Sequence, residues 1–486
     1  MVPVDLQLAG PCVSKTVEDS EACQRRRFRR LRPVSPPVGS VLGWERASTA
    51  VGQTTGPHSA GLSGRKSTQG DRAGERRRVG DLMSSSLLVI SASFPFGDRA
   101  DFLEDEITWL SSTFDRVVLL PLVPKGEIQS TPANVEVDLS LARRLGGRVQ
   151  RVASAFRSFR SLRLTREAIR SEGRPPSLEC WLRLLVAAGI AEQVHRWSDR
   201  NATSRPDLAL TIWAGPATLG AARSGLITLT RAHGGDLYAE RHTRGYFPMQ
   251  RLALASAEAV HPVSLQGVHY LQERFPDLAE RISVRHLGVQ GAARISSTSN
   301  DGVVRIASCS SLTDVKRPLL LAEVVGELGR RLPAVHWDHF GAGELENGVR
   351  GVAAGFPASV AWTLHGNVAN ERVLEHYVSN PVDVFLNASS SEGIPVSMME
   401  AMSAGIPIVA PSVGGISEII DEHSGVTYPA NWGPPPIADL LVDAIEAFAT
   451  VPRSSIRERW EQQFSADRNY REFAAELLER ARAAAR

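Results

Sequence analysis

The sequence predicts an α/β protein made of two Rossmann-like, doubly wound halves facing each other across a cleft. Three observations carry this. From Leu87 onward, short apolar runs alternate with amphipathic stretches; a polar, small-residue segment interrupts them near the middle; then the alternation restarts. A parallel strand reaches its neighbour only through a crossover, so such alternation implies a sheet covered by helices on both faces. The 486 residues suffice for two domains and an extension, and 43% apolar with 22% charged residues is a globular composition.

Residues 1–82 read as a disordered basic extension, with 14 Lys+Arg against 8 Asp+Glu and an arginine cluster from Arg25 to Arg32. A start of the protein near Met83 is the alternative reading. The remainder carries 41 Lys+Arg against 45 Asp+Glu, which argues against nucleic acid as a partner of the main body. Four cysteines (Cys12, Cys23, Cys180, Cys309) form no CxxC pair, which points away from structural zinc and disulfides and towards a cytoplasmic setting. No apolar run is long enough to span a bilayer, and Met1–Gly10 lacks the charged and apolar regions of a signal peptide.

The N-terminal half is expected over 83–289, with strands at Leu87–Ser93, Arg116–Leu122, Leu208–Ile212, Ile227–Thr230, Ala259–Pro262 and Ile282–His286, and a helix from Phe102 to Phe114. Inside it, Arg143–Arg174 holds ten arginines against Glu167 and Glu172, with Val149, Val152, Phe156, Phe159 and Leu162 near helical spacing. This reads as a basic helix lying on an anionic membrane, or as a solvated helix packed on its own domain by those apolar residues. Residues 290–302 read as the linker. The C-terminal half, 303–452, places strands at Val303–Cys309, Val335–Phe340, Val360–His365, Val382–Asn387, Pro407–Pro411 and Val426–Tyr428. Residues 453–486 are helical, with Trp460, Phe464, Tyr470, Phe473 and Leu477 as packing positions for a helix returning toward the N-terminal domain.

The strongest chemical signal is Ser389–Met402, SSSEGIPVSMMEAM. Glu392 falls in the loop after a strand, and Glu400 two turns into the following helix. In an open α/β sheet, ligands bind beyond the carboxyl ends of the strands. A loop carboxylate there accepts hydrogen bonds from sugar hydroxyls, and a helix carboxylate reaches a diol such as ribose. The alternative for Glu400 is an exposed helix residue.

This segment and its continuation AGIPIVAPSVGGISEII resemble the E-x7-E motif of family 4 glycosyltransferases, and NPVDVFLNASSSEGIPVSMMEAM resembles the bacterial exopolysaccharide and colanic-acid-type branch. The resemblance implies a GT-B fold and retaining transfer from a nucleotide sugar. In it Glu392 contacts the donor sugar and Glu400 holds the ribose, with Gly393 and Ser397 on the donor side. Lys316 and Arg317, just before a helix, suit the diphosphate. The family form is close to G-R-L-x-x-x-K-G; here Ser311 stands where the Arg would be, and Arg317 where the Gly would be.

Gly414 and Gly415 open a predicted helix, Ile416–Ile420, where they favour an anion, allow a tight turn, or do both. Arg231–Tyr238 resembles the branch's R-x-H-G-x-D-L-Y, which makes His233 a catalytic candidate and puts Asp236 on the acceptor side. Gly97 lies in the loop where the family approaches phosphates and acceptor; Glu104 and Glu106 follow as acceptor-side or solvated carboxylates. No acidic pair of the DxD type stands at a strand end, so no cofactor or obligatory metal is expected. The expected partners are a nucleotide-sugar donor and a glycan or lipid-linked acceptor, the latter implying a peripheral position at the inner membrane face. The alternatives are a soluble small-molecule acceptor, or a catalytically silent glycan-binding subunit.

Overall fold

The computed structural model describes residues 85–97, 102–147, 150, 152–153 and 158–484. The 1–82 extension, Met83, Val149 and Phe156 lie outside the described residues. The first sheet contains β1 (Ser86–Ser91), β2 (Arg116–Pro121), β3 (Val135–Val137), β4 (Leu208–Thr211), β5 (Ile227–Ala232) and β6 (Ala259–Pro262). The second contains β7 (Val304–Cys309), β8 (Val335–Phe340), β9 (Val360–Gly366), β10 (Val384–Leu386), β11 (Ile408–Pro411) and β12 (Gly425–Tyr428). Strand order is β3-β2-β1-β4-β5-β6 in one and β12-β11-β10-β7-β8-β9 in the other, with every strand pair parallel. Each half is thus doubly wound with its order reversing at one point, between β1 and β4 and between β7 and β10.

The alternation within each strand feeds two cores. Leu87 and Val89 pack with Leu103, Ile107 and Leu110 of the helix Phe102–Thr113. Leu88 and Ile90 face the other way, against Leu141, Leu145, Val194 and Trp197. The second sheet repeats this: Ala307, Phe385 and Ile408 join one cluster, and Ile306, Val384, Leu386 and Val409 the other. Each such Leu, Val or Ile contributes about 1.5–3 kcal/mol when fully buried.

The chain crosses between halves twice, and the two crossings run side by side. Val289 N donates to Phe464 O at 2.9 Å and Ala466 N to Val289 O at 3.1 Å; the Tyr470 hydroxyl donates to Gly288 O. The helix Arg453–Gln463 stays with the second half through Ile456 and Trp460. The last helix, Ala466–Ala484, returns to the first half and buries Phe473, Ala474, Leu477 and Ala481 there.

Two local expectations change. Ile282–His286 is not a strand: Ser283 N and Arg285 N bond to β6 carbonyls, and the chain then leaves for the crossing. In the arginine-rich stretch, the helix Phe159–Glu172 packs through Leu164 and Ala168 against Leu184 and Ala188, while Phe159 is 94% exposed. Small Ser161, Thr165 and Ala168 flank Leu164 on the face toward helix Leu178–Arg200, and that face takes the buried side rather than Phe159.

Candidate active site

Two loops after adjacent strands build the centre of the site. The loop after β7 carries Lys316, and the loop after β10 carries Glu392, so the two stand on either side of the point where the second sheet reverses its order. Lys316 Nζ donates to Glu392 Oε1 at 2.6 Å, with side chains 25% and 9% exposed. Ser390 N and Oγ both donate to Val315 O. Arg317 sits in the left-handed region at φ 49°, a conformation that glycine adopts at less cost. Its guanidinium does not face a ligand: Nε, Nη1 and Nη2 donate to the carbonyls of Ala388, Ala430 and Ser389. Arg317 therefore holds the two loops together, and the expected diphosphate contact falls to Lys316.

The Gly414–Gly415 turn, after β11, completes this side. A side-chain carbon on Gly414 would stand 2.0 Å from Glu392 O, and its φ is +57°. Gly415 N already donates to Gly393 O at 2.8 Å, and the helix that follows, Ile416–Ile419, is a single turn. The pair serves close backbone approach rather than an anion at a helix start.

From the first half comes the loop after β5. Arg231 is fully buried, paired to Glu106 at 2.9 Å and lying over the Phe473 ring at 4.3 Å. It anchors the strand end, and Glu106 is thereby structural, not acceptor-facing. Asp236 accepts from Ala214 N and His233 N, both at 2.6 Å; its carboxylate holds the loop and the adjacent turn rather than offering itself to an acceptor. Burial pushes it up to about 8, against those two N–H groups. The His233 ring rests beside Trp213 at 4.9 Å. Burial, then the nearby Arg231 charge, push it down to about 3, so it is neutral.

The two loops meet. Gly234 and Gly393 approach so closely that a side-chain carbon on Gly234 would stand 3.6 Å from Gly393 Cα. Arg241 bridges the same gap, donating to Gly234 O at 2.8 Å and to Ser391 Oγ. Arg241 was not singled out from the sequence; its position three residues past the R-x-H-G-x-D-L-Y segment was the available signal. Glu418 spans the halves as well, accepting from Leu265 N and Gln266 N at 2.6 and 2.7 Å.

Glu400 lies in helix Val396–Ser403 and is 6% exposed, which removes the reading of a solvated helix residue. Burial pushes its carboxyl up to about 7, with the Asn370 amide opposing and Asp105 of the first half adding repulsion. Ser397 is half-buried in the first turn of the same helix. Gly97 lies apart from this cluster in its described contacts: its N–H donates to Glu127 O, and Gln129 Nε2 donates to its carbonyl.

Residues 289–464 match the family model described as Glycosyl transferases group 1. Among curated proteins, the chain is 28% identical over 267 residues to the amylovoran biosynthesis glycosyltransferase AmsK of Erwinia amylovora, covering 52% of this chain and 63% of that one. The chain thus spans less than two thirds of that relative's length. Among solved structures, the apo lipopolysaccharide outer core galactosyltransferase WaaB aligns with a TM-score of 0.57 at 16% identity, over 82% of this chain and 99% of that one. Anabaena HepE in complex with UDP and glucose aligns at 0.52 and 16%, over 81% and 99%. These likenesses and the two facing six-stranded sheets establish the GT-B fold.

Proposed function

We propose that this chain, a GT-B fold carrying a group 1 glycosyl transferase domain over residues 289–464, is a retaining family 4 enzyme. It moves a sugar from a nucleotide-sugar donor to a hydroxyl of a glycan or lipid-linked glycan in cell-surface or exopolysaccharide synthesis. The observation that carries the reading is the Lys316–Glu392 ion pair at the seam where loops of both halves meet. A cation and a carboxylate paired away from bulk water each need a new partner when the pair opens. A nucleotide sugar supplies both: its diphosphate takes Lys316 and its sugar hydroxyls take Glu392. Arg241, at the same seam, supplies a second cation in place of Arg317.

In the reaction, the bond from the anomeric carbon to the phosphate oxygen breaks. The acceptor oxygen bonds to that carbon from the same face, and its proton passes to the departing phosphate. Lys316 balances the charge growing on that phosphate; Glu392 orients the sugar and steadies its oxocarbenium-like charge. Neutral His233 contributes hydrogen bonding rather than charge. Glu400 holds the ribose diol, and Gly393 and Ser397 line the donor. No metal is assigned a step. The AmsK likeness supports a glycan acceptor, and the UDP and glucose in HepE make UDP-sugars the first donors to try.

The test is nucleotide release from UDP-, GDP- and ADP-sugars without acceptor, in wild type, Lys316→Ala, Glu392→Gln and Arg241→Ala. One donor should turn over, and the first two variants should fall by about 100- to 1000-fold. A wild-type chain that neither hydrolyses nor binds any of these donors would leave the silent glycan-binding subunit as the better reading.

Among the described residues, no helix is long and apolar enough to cross a membrane. Exposed Phe159 beside Arg160, Arg163, Arg166 and Arg170 suits the surface of an anionic bilayer, where an aromatic inserts and arginines meet headgroups. Co-sedimentation with anionic vesicles that weakens in Phe159→Asp supports a lipid-linked acceptor; a chain that stays in the supernatant favours a soluble one.

A further inference from the structure

A second cluster of ionisable groups lies outside the Lys316–Glu392 site, at the β8–β9 edge of the second sheet. Asp338 on β8, His365 on β9 and His376 on the helix Asn370–Ser379 bring one carboxylate oxygen and two imidazole nitrogens within 4.8 Å of one another. His365 Nε2 is 2.7 Å from Asp338 Oδ1, and His376 Nε2 is 3.5 Å from Asp338 Oδ2. His336 Nε2 approaches the same Oδ2 at 3.7 Å. Ligand atoms around a tetrahedral zinc ion, bound at about 2.0–2.1 Å, stand about 3.3 Å apart. The 3.5 Å contact of His376 with Oδ2 is close to that spacing, and the 2.7 Å contact of His365 with Oδ1 would open by about half an ångström.

The surroundings orient the nitrogens inward. The Phe340 ring stacks on His365 with centroids 4.4 Å apart and planes 7° apart, and meets His376 edge-on at 5.0 Å. Asn380 Nδ2 lies 3.3 Å from His376 Nδ1, which leaves Nε2 facing Asp338. That Nε2 is buried and lies 3.5 Å from Asp338 Oδ2. Such outer contacts fix ring orientation in metal sites.

We propose that Asp338, His365 and His376 bind one divalent ion of the zinc–cobalt class, with the fourth position open beside His336. Two imidazoles and one carboxylate suit that class rather than magnesium or calcium, which prefer all-oxygen shells. The ion's role is positional. The helix that carries His376 also carries Asn370, whose amide hydrogen-bonds Glu400. Pinning the helix to the sheet edge holds that amide in place, and the ion takes no part in bond making.

The test uses the full chain stripped with EDTA and then titrated with Zn²⁺ and with Co²⁺, read by calorimetry, metal content, the visible bands of tetrahedral Co²⁺, and thermal melting. Wild type should take up one equivalent, show the Co²⁺ bands, and melt higher with zinc. His376→Gln and Asp338→Asn should each weaken binding by about 100-fold and abolish the melting shift. His376→Gln keeps the test sound if Asp338→Asn does not fold. No binding by wild type, or equal uptake by wild type and His376→Gln, overturns the proposal. None of these readouts depends on donor turnover, so failure here is distinct from failure of the glycosyl-transfer reading.

Discussion

Burial holds the Glu400 carboxyl near 7, well above the 4.5 of a free glutamate. Between those values the folded chain keeps a proton that the unfolded chain has released. This group's contribution to stability is therefore full below 4.5 and is lost as pH rises through 7, a change of at most about 3 kcal/mol. Glu400→Gln should unfold at higher urea than wild type at about pH 8, and at the same urea near about pH 4. The same substitution should weaken donor binding, because the ribose diol then meets one acceptor oxygen and an amide donor in place of two charged acceptor oxygens. Wild-type donor affinity should rise with pH through about 7, as the carboxylate forms. A Glu400→Gln chain that binds donor normally would remove the ribose role. Lys316 and Glu392 touch each other before donor binds, so the losses of turnover in the two single variants should not simply add in the double variant.

Loops and helix ends set the geometry at the next scale. Gly414→Ala puts a carbon 2.0 Å from Glu392 O on a backbone at φ +57°. It should cost about 1–3 kcal/mol and displace the Glu392 loop, lowering kcat while melting stays cooperative. Glu418 takes two backbone N–H groups at the start of helix Leu265–Arg274 in the other half. Glu418→Ala loses a contact worth about 1 kcal/mol and should enlarge the donor-free radius of gyration in small-angle scattering. An unchanged radius would mean that the paired crossings and the Arg241 bridge hold the halves together without Glu418.

At the scale of the molecule, the final helix couples the halves, because it starts beside the crossing at Val289 and ends in the first core. Truncation after Phe464 would uncover the partners of Phe473 and Leu477 and should give insoluble protein. A chain begun at Met83 should keep donor turnover, since every residue assigned a role lies beyond it; lost turnover would assign the basic extension a part in the site.

The doubly wound character was legible in the sequence, because continuous apolar runs such as Leu87–Ile90 and Ile306–Ala307 record burial on both sheet faces wherever the partner helices stand. Lys316 and Glu392 were legible as loop residues after strands and Glu400 as a residue of the following helix, and the resemblance to the E-x7-E motif singled them out. What each side chain faces was not. Arg317 and Asp236 turn to backbone groups, and Glu106 turns to Arg231, 125 positions along the chain. Arg241 reaches Ser391 across 150 positions, and His376 joins Asp338 through a neighbouring helix. A strand's periodicity is local and written in its own residues, whereas the partner of a polar side chain is set by which distant backbone arrives beside it, and only the tertiary structure decides that.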